Sequence, residues 1–383
     1  MTETPETPGT ASPTGADARR GLFRPGDRVQ LTDEKTRLST ITLTPGGAYH
    51  THRGVLRHDD VIGLPEGSRV SNSEGFSYLA LRPLLSDFVL SMPRGAAVVY
   101  PKDAGQIVTM ADIFPGARVV EAGVGSGALS ISLLRAVGDG GFLRSIERRE
   151  EFADVAKGNV TTFFGGEHPA WKVSIGDFQD RVVELEEPGS VDRVVLDMLA
   201  PWECTDAVAT VLAPGGVWIS YVATATQLSR TAEAIREDGR FTNPVSWESM
   251  VRGWHVEGLA VRPDHRMVAH TGFLLVTRRL SDGAEPVYPA KRTSKSDFQP
   301  EDVEAWTPER EWEPGEIGER GVSSKKLRRA AKDAASMVQR GAFRIAEAVK
   351  PGEPRDSGQD AGAERAEETD TPEAGEERGE HDG

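Results

Sequence analysis

Hydrophobic and polar positions follow two successive patterns along the chain. Between residues 23 and 85, short apolar runs such as Arg28-Val-Gln-Leu31 and Tyr78-Leu-Ala-Leu81 are separated by Gly, Pro, Asp and Asn, which predicts a small β-rich N-terminal domain. From residue 86 to 280, strand-like apolar runs alternate with segments of helical apolar spacing. This alternation predicts an α/β domain, with a mostly parallel sheet covered by helices on both faces.

The segments outside these two domains are polar. Residues 1–22 contain too few apolar side chains to fold alone and are predicted to be a disordered arm, residues 281–322 are predicted to be a linker or extension, and residues 351–383 a disordered acidic tail. Residues 323–350 have the pattern of a basic amphipathic helix, with Ser323 or Ser324 as its N-cap. Its basic face could touch nucleic acid, although a solvated surface helix is the commoner explanation.

The negative charge is concentrated in the predicted tail. Residues 351–383 carry twelve acidic residues and three arginines, hence −9 of the net −15, which leaves −6 for the first 350 residues. Total charge therefore argues only weakly against a nucleic-acid partner, because local basic patches attract phosphates. The single cysteine, Cys204, excludes an internal disulfide and argues against a cysteine-based zinc site. With no apolar leader and no membrane-length apolar run, the sequence predicts a cytoplasmic protein.

A glycine-rich turn follows the buried strand around Val120. Its spacing, Glu121-x-Gly123-x-Gly125-x-Gly127, differs from the dinucleotide fingerprint G-x-G-x-x-G. The glycines lack the Cβ atoms that would keep a ligand away from the main chain. An acid before the first glycine would repel a pyrophosphate, but it would attract the cationic sulfonium and amino groups of S-adenosylmethionine. The spacing therefore favours that cofactor, and a glycine turn without a ligand is the alternative.

Three further predicted strands each end in an acidic residue. Glu147, Asp177 and Asp197 follow the runs that begin at residues 141, 171 and 191. Ligands of open α/β sheets bind beyond the carboxyl ends of the strands, so the recurrence predicts one shared pocket. A single acid in this position is more often a helix N-cap or a solvated loop residue. Three in succession favour the pocket.

Several motifs, taken together, resemble a known family over about Gly26 to Leu280. They are Arg28-Val-Gln-Leu31, His50-Thr-His-Arg-Gly54, Val99-Tyr-Pro-Lys-Asp103, Glu121 to Gly127, Leu196-Asp-Met-Leu-Ala-Pro-Trp202, Tyr221-Val-Ala-Thr-Ala-Thr-Gln-Leu228 and Met267-Val-Ala-His-Thr-Gly-Phe273. This combination resembles the S-adenosylmethionine-dependent tRNA adenine-N1 methyltransferases that act at position 58 in the T-loop. The resemblance implies a class I methyltransferase (Rossmann-like) fold after a small β-rich domain, a tRNA substrate, a homotetramer and chemistry that needs no metal. The acidic tail departs from the family pattern.

The same resemblance implies a set of cofactor-binding residues. Glu147 would hold the ribose hydroxyls with Arg149 beside it, and Asp177 with Phe178 would contact the adenine end. The methionine end would lie against Glu121 to Gly127 and the loop from Lys102 to Val108. The individual residues of the implied set are Gln106, Ile107, Val108, Glu121, Ala122, Gly123, Val124, Gly125, Ser126, Gly127, Ala128, Leu129, Glu147, Arg149, Asp177, Phe178 and Asp197.

Asp197 and Tyr100 are the expected catalytic residues. Adenine N1 carries an in-plane lone pair and can attack the sulfonium methyl without prior deprotonation, which gives a cationic product. The resemblance places Asp197 beside the donor methyl and the target base, where a carboxylate could accept a hydrogen bond from the N6 amino group. Tyr100 would stack on the extruded base. Without the resemblance, a helix cap is as plausible for Asp197, and a core position is favoured for Tyr100.

Polar residues outside this set are weaker candidates for RNA contact. They are Gln30, Lys35, Arg37, Arg262, His265, Arg266 and His270. Exposed surface is the commoner explanation for the first three. His50, His52 and Arg53 form a short polar cluster that lacks the carboxylate or thiolate partners of a metal site.

Two other functions stay open from the sequence. The same fold could methylate a protein carboxylate or a small molecule, because a fold does not fix its substrate. A noncatalytic RNA-binding subunit is the more distant alternative. The intact glycine turn, together with Glu147 and Asp197, argues against that second possibility, since such a subunit has no physical need for all of them.

Overall fold

The structure is a computed structural model that describes residues 19–95, 97–288 and 323–348, with side chains in the last segment described as far as residue 339. Three predicted segments lie wholly or mostly outside the described residues. They are the N-terminal arm up to residue 18, the part of the linker from residue 289 to 322, and the acidic tail. The domain boundaries proposed from the sequence stay predictions.

The N-terminal region is built from short antiparallel strands, as the sequence predicts. The strands are β1 (Arg28–Asp33), β2 (Leu38–Thr42), β3 (Ala48–Thr51), β4 (Gly54–Arg57), β5 (Arg69–Ser71) and β6 (Ser77–Leu81). Four of them form a sheet in the order β2-β1-β6-β5, and β3 pairs with β4 as a separate hairpin. Alternate side chains of β1, Val29 and Leu31, are fully buried and pack with Leu56 and Ala80 in a core of their own.

The following region is an α/β fold around a seven-stranded sheet. The strands are β7 (Arg118–Ala122), β8 (Phe142–Glu147), β9 (Trp171–Ile175), β10 (Val191–Asp197), β11 (Leu212–Val222), β12 (Val245–Trp247) and, later in the chain, β15 (Phe273–Arg278). Their order is β12-β15-β11-β10-β7-β8-β9. Strands β7 to β11 are parallel, and β15 runs antiparallel to β11. The carboxyl ends of the parallel strands therefore meet at one edge.

Helices cover both faces of this sheet, because its strands are apolar on both sides. On β7, Val119 packs into one hydrophobic cluster and Val120 into the other. Strands buried on both faces are characteristic of parallel sheets. The helices are α1 (Leu85–Ser91), α2 (Pro101–Met110), α3 (Ala128–Val137), α4 (Glu150–Phe164), α5 (Phe178–Leu185), α6 (Thr205–Val211) and α7 (Ala225–Asp238), with short 3₁₀ turns at His58–Asp60 and Pro201–Cys204. The predicted fold class is confirmed.

Along the chain, an exposed hairpin lies between strands β12 and β15, which are neighbours in the sheet. Its strands, β13 (Val251–Glu257) and β14 (Ala260–Val268), pair only with each other among the described residues. Large apolar side chains on it are open to solvent: Trp254 is 60 % exposed, Val256 69 % and Leu259 fully. The sequence pattern did not predict this hairpin.

The last described element is α8 (Ser324–Ala348), which agrees with the predicted amphipathic helix. Its Ala330 and Ala334 are buried at 5 % and 1 % exposure. A Cβ placed on Gly158 of α4 would lie 2.7 Å from the Cβ of Ala334, so the two helices approach as closely as a glycine allows. Leu327 is similarly close to Gly95, where an added Cβ would lie 2.5 Å from its Cδ1.

We expect Ala334→Leu to detach α8 from α4, because the larger side chain has no space opposite Gly158. Hydrogen exchange should show faster exchange of the α8 amides in this variant. Ala335→Leu is the matched control, since Ala335 is exposed on the same helix and its substitution should leave the exchange unchanged. Equal protection of α8 in both variants would contradict this packing.

Candidate functional site

The glycine turn joins β7 to α3 at the carboxyl edge of the sheet, and its three glycines differ in surroundings. All three have positive φ: 82° at Gly123, 53° at Gly125 and 81° at Gly127. A Cβ at Gly123 would overlap the main-chain oxygen of Asp197, and one at Gly127 would lie 3.2 Å from Ala156 of α4. A Cβ at Gly125 would meet nothing within 4 Å. The expectation that all three clear space for a ligand is therefore corrected, because two of them make room for the protein itself.

Glu121 occupies a closed polar niche behind this turn. Its side chain is fully buried, and its Oε2 accepts hydrogen bonds from the hydroxyls of Ser130 at 2.7 Å and Ser145 at 2.6 Å. The indole of Trp171 donates to Ser145 at 2.8 Å and fixes that hydroxyl. Glu121 Oε1 is buried and has no hydrogen-bond partner among the residues that the structure describes. A buried carboxylate oxygen without a donor is costly, and a cationic ligand group would satisfy it.

The environment of Glu121 makes folding stability depend on pH. Burial raises the pKa of its carboxyl to about 7, against the hydrogen bonds from the two serines, which lower it. The folded protein then holds this proton to a higher pH than the unfolded chain does. The free energy of unfolding should therefore fall as the pH rises from about 4.5 to about 7 and level off above that, by on the order of 3 kcal/mol for this group.

Urea unfolding of the wild type and of Glu121→Gln checks this expectation. The variant has no carboxyl at this position and should lose the contribution of Glu121 to the fall in stability between about pH 5 and pH 8, whereas the contribution of Asp197, whose pKa is also raised to about 7, should remain. A fall of equal size in both proteins would contradict the assignment to Glu121.

Glu147, at the end of β8, lies directly against the glycine turn. Its Oε2 accepts a hydrogen bond from the amide of Gly125 at 3.2 Å, and its Oε1 accepts one from the amide of Arg149 at 3.1 Å. The guanidinium of Arg149 is 3.4 Å from the same oxygen and lies 4.0 Å from the ring centre of Phe152. The carboxylate is therefore held in one orientation, with the remaining lone pairs available to hydroxyl donors.

Asp197 is half-buried at the end of β10, next to Tyr221 on the neighbouring strand β11. Burial, together with the negative charges of Glu121 and Glu147, raises the pKa of Asp197 to about 7. Burial also raises the pKa of the Tyr221 hydroxyl, which stays a neutral phenol. Tyr100 is half-buried at the N-cap of α2 and lies near enough to Tyr221 to interact with it electrostatically. Asp197 and Tyr100, the residues expected to be catalytic, therefore both lie in the neighbourhood of Tyr221.

A buried ionic cluster, which the sequence did not predict, joins α2 to the segments before β13 and β15. The Lys102 ammonium is 2.7 Å from Asp103 Oδ1, and both side chains are at most 6 % exposed. Ser249 donates to Asp103 Oδ1 at 2.8 Å, and Thr271 donates to Asp103 Oδ2 at 2.6 Å. Tyr221 packs against Gly272, the residue after Thr271, where an added Cβ would lie 2.4 Å from its ring. The cluster therefore fixes the base of the exposed hairpin beside Tyr221.

Other residues of the expected cofactor set have their side chains in the protein interior. The apolar members with side chains at most 4 % exposed are Ile107, Ala122, Val124, Ala128, Leu129 and Phe178. Ser126 is also buried, and its hydroxyl accepts a hydrogen bond from the Gly95 amide at 3.3 Å. Gln106 and Val108 are half-buried on α2. A ligand contact from the buried members would therefore come through the main chain.

Asp177 differs from the other two strand-end acids. It is exposed and lies 3.9 Å from the guanidinium of Arg148, which is itself exposed. The shared edge expected for Glu147, Asp177 and Asp197 is present in the parallel sheet, but the charges raising the pKa of Asp197 are those of Glu121 and Glu147. Among the strand-end acids, Glu147 therefore acts on Asp197 together with Glu121, and the role of Asp177 stays a prediction.

The weaker RNA candidates are spread over several surfaces. Arg262, His265 and Arg266 are exposed on β14, whereas His270 lies 2.8 Å from Glu248 and 3.2 Å from the Ala223 carbonyl oxygen. The remaining candidates, in the N-terminal region, are Gln30, which is half-buried, Lys35 and Arg37; the polar cluster of His50, His52 and Arg53 lies in the same region. Arg37 pairs with Asp33 at 2.7 Å. The described part of the chain contains no group of three or more His, Cys, Asp or Glu that could hold a metal ion, and none of its helices could span a membrane.

Solved structures with this architecture identify the class. The chain aligns with an S-adenosylmethionine-dependent O-methyltransferase of Thermotoga maritima at a TM-score of 0.64 and 32 % identity, over 69 % of this chain and 97 % of that one. It aligns with the tRNA (m1A58) methyltransferase TrmI of Aquifex aeolicus at a TM-score of 0.60 and 28 % identity, over 68 % and 99 %. The fold is that of a class I S-adenosylmethionine-dependent methyltransferase.

Sequence comparisons narrow the class to one family. Residues 21–70 match the TrmI-like N-terminal family, and residues 75–270 match the family described as the tRNA methyltransferase complex GCD14 subunit. The tRNA (adenine(58)-N(1))-methyltransferase TrmI of Thermus thermophilus is 35 % identical over 252 residues, which are 65 % of this chain and 95 % of the relative. The chain belongs to this family of tRNA (adenine-58-N1)-methyltransferases, as the resemblance in the sequence indicated.

Proposed function

We propose that this enzyme transfers the methyl group of S-adenosylmethionine to N1 of the adenosine at position 58 in the T-loop of tRNA. The observation that carries the proposal is the position of Asp197 beside the glycine turn and the carboxylates of Glu121 and Glu147, in a chain of this family. A group of negative charges fits a cationic donor and a product base that becomes cationic, and it fits poorly with an anionic cofactor.

The residues around the turn fit S-adenosylmethionine. Glu121 Oε1 is a buried acceptor without a donor, and the side of the turn at Gly125 is open. In this arrangement Glu121 would bind a cationic group of the methionine end, and Glu147 would accept hydrogen bonds from the ribose hydroxyls. The bound cofactor supplies an electrophilic methyl group on a sulfonium. We assign Asp177 and Phe178 to the adenine end, with Phe178 contributing through its main chain.

Asp197 would act by holding and polarising the target base. As a carboxylate it accepts a hydrogen bond from the exocyclic N6 amino group, which increases electron density at N1 and stabilises the positive charge that develops on the ring. Tyr221 lies opposite Asp197 on β11, and Tyr100 lies in the neighbourhood of Tyr221. A neutral aromatic ring here would offset part of the cost of unstacking an adenine from the T-loop. The rest of the catalysis is alignment of nucleophile, methyl carbon and sulfur.

We further propose that the enzyme is a cytoplasmic homotetramer. The exposed apolar side chains of the β13–β14 hairpin, Trp254, Val256 and Leu259, support self-association, because patches of this kind usually mark an interface. The cytoplasm is the compartment in which its tRNA substrate would be found.

Methyl transfer to defined RNA tests the proposed function. The enzyme is incubated with labelled cofactor and unmodified tRNA transcripts that carry either adenosine or guanosine at position 58. Label should enter only the first transcript, and mass spectrometry of its nucleosides should yield 1-methyladenosine. Transfer to a ribose oxygen, to protein or to both transcripts alike would overturn the proposal.

A further inference from the structure

The described beginning of α8 presents a strongly basic surface. Five cationic side chains there are exposed: Lys325, Lys326, Arg328, Arg329 and Lys332. Over residues 323–339 the only acidic residue is Asp333, which lies 3.8 Å from Arg329. The opposite side of the helix carries Leu327, Ala330 and Ala334 and is packed against the protein. The charged face is therefore held in a fixed position, which a freely solvated helix would lack.

Packing contacts show where this basic surface lies. Gly95 is close to both Leu327 and Phe152, and further along the two helices Gly158 is close to Ala334. The contacts advance in the same direction on α4 and α8, so the helices run parallel. Because α4 begins just after β8 ends at Glu147, the first turn of α8 lies at the carboxyl edge of the sheet. This is the edge that carries the proposed methyl-transfer site.

Two more cations extend this surface. Arg94 is exposed next to Gly95, and Arg148 is exposed just before α4. We call Arg94, Arg148, Lys325, Lys326, Arg328 and Arg329 the edge patch. It adjoins a site whose own charges, those of Glu121, Glu147 and Asp197, repel phosphates. An RNA that inserts a base there gains electrostatic attraction only from cations outside the acidic pocket.

We propose that the edge patch binds backbone phosphates of the tRNA whose adenosine enters the site. This inference rests on the proposed function. Several exposed cations on one edge, at the mouth of a site for a nucleic-acid base, match the way in which phosphate contacts position a nucleic acid. The family match ends at residue 270, so α8 adds this contact beyond the matched segment.

Steady-state kinetics of a charge-neutral variant test the proposal. Lys325→Gln, Lys326→Gln, Arg328→Gln and Arg329→Gln are combined in the full chain, since all four side chains are exposed and Gln keeps a high helix propensity. At about 0.1 M salt we expect KM for tRNA to rise about tenfold, with kcat and the Kd for S-adenosylmethionine unchanged. The slope of log affinity against log salt should fall by about one for each phosphate that the variant no longer binds.

Matched variants separate a direct contact from other effects. Lys172→Gln removes an exposed cation from β9, near the start of that strand and hence at the opposite edge of the sheet, and should change neither KM nor the salt slope. Ala334→Leu keeps every charge of the patch but displaces α8, so it should also raise KM for tRNA, whereas Ala335→Leu should not.

An unchanged KM and salt slope in the charge-neutral variant would overturn the proposal. If the patch instead bound the acidic segment 351–383 of the same chain, the variant would keep the wild-type salt slope for tRNA, which also overturns it. Failure of the proposed function would be distinct from both, because the wild type itself would then transfer no methyl group to tRNA.

Discussion

Asp197→Asn should lower kcat for tRNA methylation by a factor on the order of 10² to 10⁴, with little change in the Kd for S-adenosylmethionine. The amide retains the size of the side chain and can still form a hydrogen bond, but it lacks the negative charge that would stabilise the cationic adenine. Burial and two neighbouring carboxylates raise the pKa of Asp197 to about 7. For the wild type, kcat/KM should therefore increase as the pH rises through this region, because the carboxylate is the active form.

Single-turnover rates and calorimetry of cofactor binding, measured on the same variants, check this expectation. Glu147→Ala serves as the contrasting substitution, since Glu147 lies against the Gly125 amide and would hold the ribose. It should chiefly weaken cofactor binding and leave the rate at saturating cofactor closer to that of the wild type. If both variants lost only folding stability, the two roles would be wrongly assigned.

The sequence predicts the sheet and its acidic edge because both depend on local patterns. Strand-length apolar runs followed by Glu147 or Asp197 fix which residues reach the carboxyl edge, once the strands are parallel. The glycine spacing after Glu121 likewise specifies a turn with positive φ. For these features, the residues that specify the structure are neighbours in the chain.

Contacts between distant segments could not be predicted in this way. Asp103 meets Ser249 and Thr271 across 146 and 168 residues, and no local pattern in those segments indicates a partner for a buried carboxylate. The partners of Glu121 are equally obscure, because Ser130 and Ser145 are ordinary polar residues until α3 and β8 pack beside β7. The parallel packing of α8 on α4 depends on a glycine and an alanine that carry no distinctive signal by themselves.

The glycine turn also shows how a correct motif can have a different physical basis from the expected one. From the sequence, all three glycines are predicted to serve one purpose, the close approach of a ligand to the main chain. In the structure Gly123 is required by the main chain of Asp197 and Gly127 by α4, and only Gly125 has an open side. The identity of the neighbouring main chain is a tertiary property, so the spacing alone could not separate these roles.

Gly123→Ala should therefore lower the free energy of unfolding by about 3 kcal/mol or more, because the new Cβ overlaps the Asp197 main-chain oxygen and an L-residue at φ 82° is strained. Gly125→Ala is the matched control: with a φ of 53° and nothing within 4 Å of its Cβ, it should cost only about 1 kcal/mol. Its methyl group would instead enter the space assigned to the cofactor and weaken cofactor binding. Urea unfolding and calorimetry distinguish the two effects. Wild-type stability of Gly123→Ala would refute the close approach to Asp197, and wild-type cofactor affinity of Gly125→Ala would show that the ligand lies on another side of the turn.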